Sequence, residues 1–505
     1  LEALQKLVAA IPAASGICYV VVQHLAPDHP SIMDQLLGAH SAIDVIKIEE
    51  GMLAEPDRIY VIPAGPSLTI ENGRFLLHND RKIRCVRTPI DGFFTSVAEY
   101  AGRNAFCVVL SGTGSDGTEG LRAIKAAGGV AIVQESDTAR FPGMPDSAVS
   151  TGLVDFILPA ERILGRVLDI IDHRARLADT GLQERLQAEL QERLSEITDL
   201  VLDTTGQNFT SYKSGTLLRR IERRMTLLRQ RSVDGFITQL TQSAEERERL
   251  AQDFLIGVTK FFRDDEAFEV LRTKALEEIL ALNPEKIRIW VPGCSTGEET
   301  YSIAMMVIDA MEEKGSSAPL QIFGTDIDSA ALLHARQGIY SAQAVKNIPP
   351  AMLKKHFVAE NSNFRASGQL REVCVFAPHN LLSDPPFSRL DLVSCRNLLI
   401  YLEAEGQSAI MPRFHYALKP EGFLFLGPSE SLGQHDDLFE TISKSHRLFQ
   451  RNDEVEKRYS TLNAMRSRPS QTGLMTRTQG TWNAPKRNVA APSIDIAAEA
   501  QFLNL

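Results

Sequence analysis

Short apolar runs closed by glycine turns recur along the chain, and they predict parallel-sheet strands, because a strand buried on both faces carries no polar alternation. Val20, Val21 and Val22 make one run, followed at once by His24, and Phe106 to Leu110 make another that opens into the glycine-rich stretch 111–117. Ile287 to Val291 lead into a turn holding Gly293 and Gly297, and a further run ends at Asp326. Residues 390–397 and 423–427 close the series. After Gly297 the apolar positions Tyr301, Ile303, Ala304, Met305 and Ile308 suit a buried helix. The alternation predicts an α/β chain with two doubly wound parallel-sheet domains.

Helical spacing takes over between them. Leu182, Leu186, Leu190, Leu194, Ile197 and Val201 recur at intervals of four and three, predicting a short coiled coil or domain-docking helix within 166–204. In 212–231, Leu217, Leu218, Ile221, Met225 and Leu228 form an apolar stripe, and Arg219, Arg220, Arg223 and Arg224 crowd the rest. Such a cationic face suits an acidic helical partner, with a solvated surface as the competing reading. Residues 453–505 are polar and without period, which predicts a disordered linker.

Composition narrows the classes. The 505 residues, 44% hydrophobic and 23% charged, supply two or three packed cores. A net charge of -10 argues against nucleic acid as the partner of the arginine face. No apolar run reaches the ~18 residues of a membrane span, so membrane insertion is not expected. Pro12 and Gly16 interrupt the apolar stretch from Leu7 to Val22, which reads as core helix and strand rather than a signal sequence. Six scattered cysteines without a C-x-x-C pair point to a reducing, cytoplasmic compartment and no zinc.

The turn after Pro292 carries the most specific chemistry. Gly293 and Gly297 let the backbone bend sharply and come close to a ligand. Glu298 and Glu299 open the following helix, and Asp326 ends the next strand, where a doubly wound fold holds ribose hydroxyls. A dinucleotide site shows G-x-G-x-x-G, and acids at the helix start repel a pyrophosphate. The expected ligand is therefore a nucleoside without phosphates, and S-adenosylmethionine (SAM), with its cationic sulfonium, fits. The order of helix, Lys419-Pro-Glu-Gly turn and apolar strand is one that closes many SAM-dependent methyltransferase sheets.

With these residues in place, 205–450 resembles a CheR-type chemoreceptor glutamate methyltransferase. Residues 205–250 match its small helical basic subdomain and 251–452 its SAM-binding, Rossmann-like domain. The resemblance implies cofactor contacts at Thr259, Arg263, Glu299, Asp326, Asn380, Leu381, Cys395 and Arg396, with Arg263 and Tyr401 nearest the transferring methyl. Gly257 stands where family members often carry Asn. The resemblance also implies that Arg219, Arg220, Arg223 and Arg224 meet the acidic helical cytoplasmic region of a chemoreceptor or similar sensor. It places a small antiparallel subdomain between Ile339 and Phe376. A glutamate carboxylate is already ionised near neutral pH, so the reaction needs alignment and exclusion of water more than a base.

Residues 1–165 resemble a CheB-type receptor methylesterase, on the strand ending in His24, the loop presenting Asp116, and Phe141 to Pro145. That family implies His24 as base and Asp116 as its orienting carboxylate in a Ser-His-Asp triad, hydrolysing glutamate methyl esters through an acyl-enzyme. The alignment puts the nucleophile about four residues before Leu1, at a strand-to-helix turn, so this half is expected to be inactive as given. Thr113 stands where the family has Met. The whole reads as a glutamate O-methyltransferase fused to a methylesterase-like domain in bacterial chemosensory signalling, with sensory or kinase modules expected beyond 453–505. Two further readings stand beside it: a methyltransferase for a small molecule or RNA, and a signalling scaffold whose domains have lost activity.

Overall fold

The computed structural model describes residues 1–23, 32–78, 88–177, 180–255, 257, 259–360 and 363–454. In the first region β1 (Cys18–Val21), β2 (Val45–Lys47) and β3 (Arg58–Val61) form a parallel sheet in the order β1-β3-β2. β4 (Ser67–Glu71) and β5 (Arg74–His78) make a hairpin. β6 (Phe106–Val109), β7 (Val130–Gln134) and β8 (Phe156–Leu158) form a second parallel sheet. β7 shows why such strands read as unbroken apolar runs: Val130 and Ile132 enter one core, Ala131 and Val133 the other. Among the described residues six helices pack around them: α1 (Glu2–Ala9), α2 (Met33–Gly38), α3 (Pro89–Ala101), α4 (Thr118–Ala126), α5 (Gly143–Ser150) and α6 (Ala160–Leu177). β1 and β6 are both edge strands, and together they line a cavity of about 1650 Å³.

The middle region is helical: α7 (Thr180–Glu192), α8 (Leu194–Thr205), α9 (Ser214–Leu227), α10 (Val233–Gln242) and α11 (Ala244–Phe254). Ser232 and Ser243 cap α10 and α11, their hydroxyls accepting from Gly235 N and Glu246 N. The stripe read as a coiled coil or docking helix is used inside the molecule. Leu186, Leu190, Ile197 and Val201 are buried against Leu217, Ile221, Phe236 and Leu250. At the start of the same stretch, α6 buries Val167 and Ile170 in the first region, next to Ile163 and Leu164. Residues 166–204 are thus divided between two cores instead of forming a separate linker, because each half of the stretch carries its own apolar face.

In the third region come β9 (Ile287–Pro292), β10 (Leu320–Asp326), the three-stranded antiparallel sheet of β11 (Ile339–Ser341), β12 (Phe357–Glu360) and β13 (Asn363–Ala366), then β14 (Cys374–Pro378), β15 (Leu390–Cys395), β16 (Leu418–Leu426), β17 (Phe439–Ser443) and β18 (Leu448–Arg451). The main sheet has seven strands in the order β14-β10-β9-β15-β16-β18-β17, parallel from β14 to β16 and antiparallel beyond. Ile287, Ile289 and Val291 of β9 face one core while Trp290 faces the other, so the sheet is covered on both sides. Helices α12 (Asp265–Val270), α13 (Glu277–Ala281) and α14 (Glu298–Lys314) belong to this region. The chain leaves β9 for β10 and β14, then returns on the other side of β9 with β15. That reversal opens a crevice beyond the carboxyl ends of β9, β10 and β15, where open α/β sheets bind ligands.

Candidate functional site

The turn after β9 alternates in the left-handed region at Gly293 (φ 70), Ser295 (φ 47) and Gly297 (φ 95). A Cβ on Gly293 would lie 2.8 Å from a methyl of Leu398, and one on Gly297 2.9 Å from Ala335. Both positions need glycine for its space as well as its φ. The turn carries Ser295 onto the end of β10, where its N–H donates to Asp326 Oδ2 at 2.8 Å, while Asp328 N donates to Oδ1 at 3.0 Å. Burial pushes the Asp326 carboxyl up to about 6, with these N–H donors pulling against it.

Glu299, in the first turn of α14, accepts from Ser394 Oγ at 2.7 Å; burial raises its carboxyl and Arg396 opposes the rise. The Arg396 guanidinium is buried over the rings of Phe425 (4.7 Å) and Phe268 (5.1 Å). It donates to the carbonyl of Arg263 at 2.9 Å and to Asp264 at 2.8 Å, tying the Arg263 segment to the end of β15. The Tyr401 carbonyl accepts from Lys213 N at 2.8 Å, joining the helical region to the cleft. Buried Glu430 fixes the same turn from below, accepting from Leu399 N (2.8 Å) and Gly427 N (2.6 Å).

Thr259, Arg263, Glu299, Asp326, Arg396 and Tyr401 all line one narrow cleft of about 90 Å³. Asn380 lies outside that lining, just past β14, with its side-chain oxygen accepting from Leu382 N at 3.0 Å. Leu381 and Cys395 are buried in the core beside Trp290, so their side chains are not offered to a ligand. Ser295, Asp328, Asn397 and Tyr212 join the lining unforeseen. Asn397 adjoins Arg396, and a signal for it existed; Tyr212 arrives only through its bridge to Leu402 and has none in the sequence. A Cβ on Gly257 would sit 3.9 Å from Ser295 Oγ, so a larger side chain there would reach across the cleft.

The lining suits SAM. Glu299, Asp326 and Asp328 stand against Arg263 and Arg396, a balance that favours a cation. Glu298 and Glu299 occupy the helix start, the positive end of the dipole, so a phosphate finds carboxylates there. Burial, with Glu119 of α4 nearby, pushes Glu298 up to about 7, and its carboxylate accepts from Thr296 Oγ1 at 2.7 Å.

The expected cationic face on α9 is not free. Arg223 and Arg224 are buried, the first in ion pairs with Asp155 and Asp253, the second with Glu246. Arg220 donates to the carbonyls of Lys125 and Ala126, and of the four only Arg219 is exposed. The docking face assigned to Arg219, Arg220, Arg223 and Arg224 is corrected accordingly: the first region takes Arg220 and Arg223 through Asp155 and the carbonyls of Lys125, Ala126 and Gly129, and Arg224 is paired within the helical region.

In the first region Asp116 is buried and accepts from Ile90 N (3.1 Å), Asp91 N (2.9 Å) and Gly117 N (2.9 Å), anchoring the start of α3. Burial, and the charge of Asp116 beside it, hold the Asp91 carboxyl well above the usual range. His24 lies outside the described residues. Gln23, Thr113, Ser115 and Asp116 line the large cavity. Ser15 bonds Asp57, Ser111 accepts from Phe141 N, and Ser115 bonds Asn363, so each has a structural bond.

Three family descriptions match in series: CheB methylesterase over residues 1–167, the all-alpha domain of CheR methyltransferase over 192–255, and its SAM binding domain over 257–448. An uncharacterized 104.1 kDa protein of Rhodobacter capsulatus is 39% identical over 439 residues, covering 83% of this chain and 46% of that protein, so the chain spans about half its length. Chemotaxis protein methyltransferase 2 of Vibrio cholerae is 33% identical over 248 residues, covering 48% of this chain and 86% of the relative. The solved catalytic domain of Thermotoga maritima CheB methylesterase is 30% identical, covering 33% of this chain and 90% of that one, with a TM-score of 0.31.

Proposed function

This chain belongs to the CheR family of chemotaxis methyltransferases, with a CheB methylesterase domain ahead of it, and from that premise we propose that it methylates glutamate side chains on an acidic, helical part of a chemoreceptor-like sensor. The observation that carries the reading is the single cleft at the switch point, lined by Asp326, Glu299, Arg263 and Tyr401.

Bound there, SAM supplies an electrophilic methyl on a positively charged sulfur. Asp326 would accept hydrogen bonds from the ribose hydroxyls, and the carboxylates of the lining would offset the ligand's positive charge. Arg263 would orient the substrate carboxylate and Tyr401 would wall off water. The reaction such a cofactor would supply is transfer of its methyl group to a carboxylate oxygen, which is ionised beforehand. No proton moves, so the site needs no general base. Arg396 and Glu430 act through the backbone, holding the Arg263 and Tyr401 segments in place.

The methylesterase domain is read as the reverse activity, acting on the ester at the cavity where β1 and β6 end. One more parallel strand between those edges would join its two sheets into one, and the carboxyl ends of such strands are where α/β sheets carry their sites. A cytoplasmic location belongs to the same reading: Cys18, Cys107, Cys294, Cys374 and Cys395 are free thiols, as in a reducing compartment. Among the described residues no helix is long and apolar enough to cross a membrane.

Incubation with methyl-labelled SAM and an acidic helical receptor fragment tests the proposal. Label is expected to enter the protein and to leave as volatile methanol in mild base. Base-stable label, or transfer to RNA or a small molecule instead, overturns the carboxyl assignment.

A further inference from the structure

Helix α9 meets the methylesterase domain through a closed ring of charge. Arg223 donates to the carbonyl of Gly129 from Nε (3.0 Å) and from a terminal nitrogen (2.8 Å), pairs with Asp155 at 2.5 Å and reaches Asp253 at 3.3 Å. Lys125 Nζ completes the ring, 2.7 Å from Asp155 and 3.1 Å from Asp253. Lys125 and Asp155 come from the methylesterase domain, Arg223 and Asp253 from the helical one, and no side chain of the four is more than 5% exposed. Arg220, one turn earlier, donates to the carbonyls of Lys125 (3.1 Å) and Ala126 (3.3 Å) at the end of α4.

A buried quartet of this kind is stable only when every charge is matched, since losing one partner leaves another desolvated and unpaired. It therefore selects one docking geometry. Other contacts repeat that geometry along the interface. Leu227 of α9 is buried in the methylesterase core with Ile59, Val130 and Ile163. Just before the other end of α4, Ser115 Oγ donates to Asn363 Oδ1 of β13 at 3.0 Å. The methylesterase domain thus reaches from the arginine helix to the small antiparallel sheet of the methyltransferase.

We propose that the methylesterase domain is a built-in partner of α9 that competes with an acidic helix for the same arginines. Asp155 and the carbonyls around α4 take the guanidinium donors of Arg220 and Arg223 that substrate carboxylates would take. An acidic helix docks on α9 only when the methylesterase domain swings off. The inference rests on the substrate reading above and adds that the chain withholds its own docking face. Apparent affinity for the acidic helix is then reduced by the small fraction of chains that are open.

Asp155→Asn in the full chain leaves two buried cations facing one carboxylate, and Lys125→Glu creates the opposite imbalance. Both are expected to enlarge the particle in small-angle X-ray scattering. Both should tighten binding of a helical peptide built from glutamate and alanine by at least about fivefold. SAM affinity, which reports that the methyltransferase half is folded, should not change. Asp169→Asn, at the exposed pair with Arg229, should leave all three readings at the parent values. The proposal is overturned if neither quartet variant tightens peptide binding, or if the parent chain already binds as tightly as the opened variants. Failure of the parent chain to bind SAM would instead overturn the proposed function.

Discussion

The two α/β halves are built from the same unit, a parallel strand buried on both faces, yet the acid that follows the glycine turn is held differently in each. In the methyltransferase half the parallel strands run unbroken from β14 to β16 and the cleft at the switch point is narrow. In the methylesterase half the described strands form two parallel sheets, β1-β3-β2 and β6-β7-β8. Loops of similar composition therefore end in different surroundings. Asp326 is held from the neighbouring strand's turn through Ser295, whereas Asp116 is held by the start of α3 and its own loop. A glycine-rich loop with an acid gains a defined site from the strand beside it, more than from its own sequence.

The comparison treats the halves as separate, and the strongest way to break it is at the charge quartet joining them. Arg223→Met removes one cation and leaves two carboxylates with Lys125 alone; it should cost about 3–5 kcal/mol in chemical denaturation. Two independent halves would instead show one transition untouched. Next in size, Leu392→Ala in the continuous sheet should cost about 2–5 kcal/mol, and Leu110→Ala, at a half-buried position, at most about half of that. Equal losses would mean that Leu110 is packed as closely as Leu392.

The cleft sharpens the contrast through pH. Free Asp326 protonates near 6 because burial disfavours its charge. The ribose hydroxyls need the ionised form, so SAM affinity should be flat above that pH and fall by close to tenfold per unit below it. A titration in which affinity rises on acidification would contradict the role. The smallest effect belongs to Arg219, which is exposed: Arg219→Ala should shift thermal stability by no more than about 0.5 kcal/mol.

Much of this was legible in the chain itself. The apolar runs marked β1, β6, β9, β10, β15 and β16, because strands buried on both faces cannot hide their composition. Asp326 and Glu299 were legible because a strand end and a helix start after a glycine turn stand at fixed places in a doubly wound fold, whereas Tyr401 came only with the family resemblance. The arginines of α9 were not. Whether Arg223 faces water or Asp155, 68 residues away in sequence, depends on how two domains meet, and helical periodicity says only that it lies off the apolar stripe. Cys395 was similarly opaque: its place on β15 was clear, but a strand's two faces look alike when both are buried. Glu430 sits on a loop without periodic pattern, and its hold on the Tyr401 turn follows only from the fold.

The most direct measurement is a calorimetric titration of the whole chain with SAM beside the Asp326→Ala variant. The parent is expected to bind with one site per chain, and the variant about 10- to 100-fold more weakly, since a carboxylate accepting hydrogen bonds contributes about 1.5–3 kcal/mol. Equal affinity in the two proteins, or none in the parent, would contradict the assignment of the cleft.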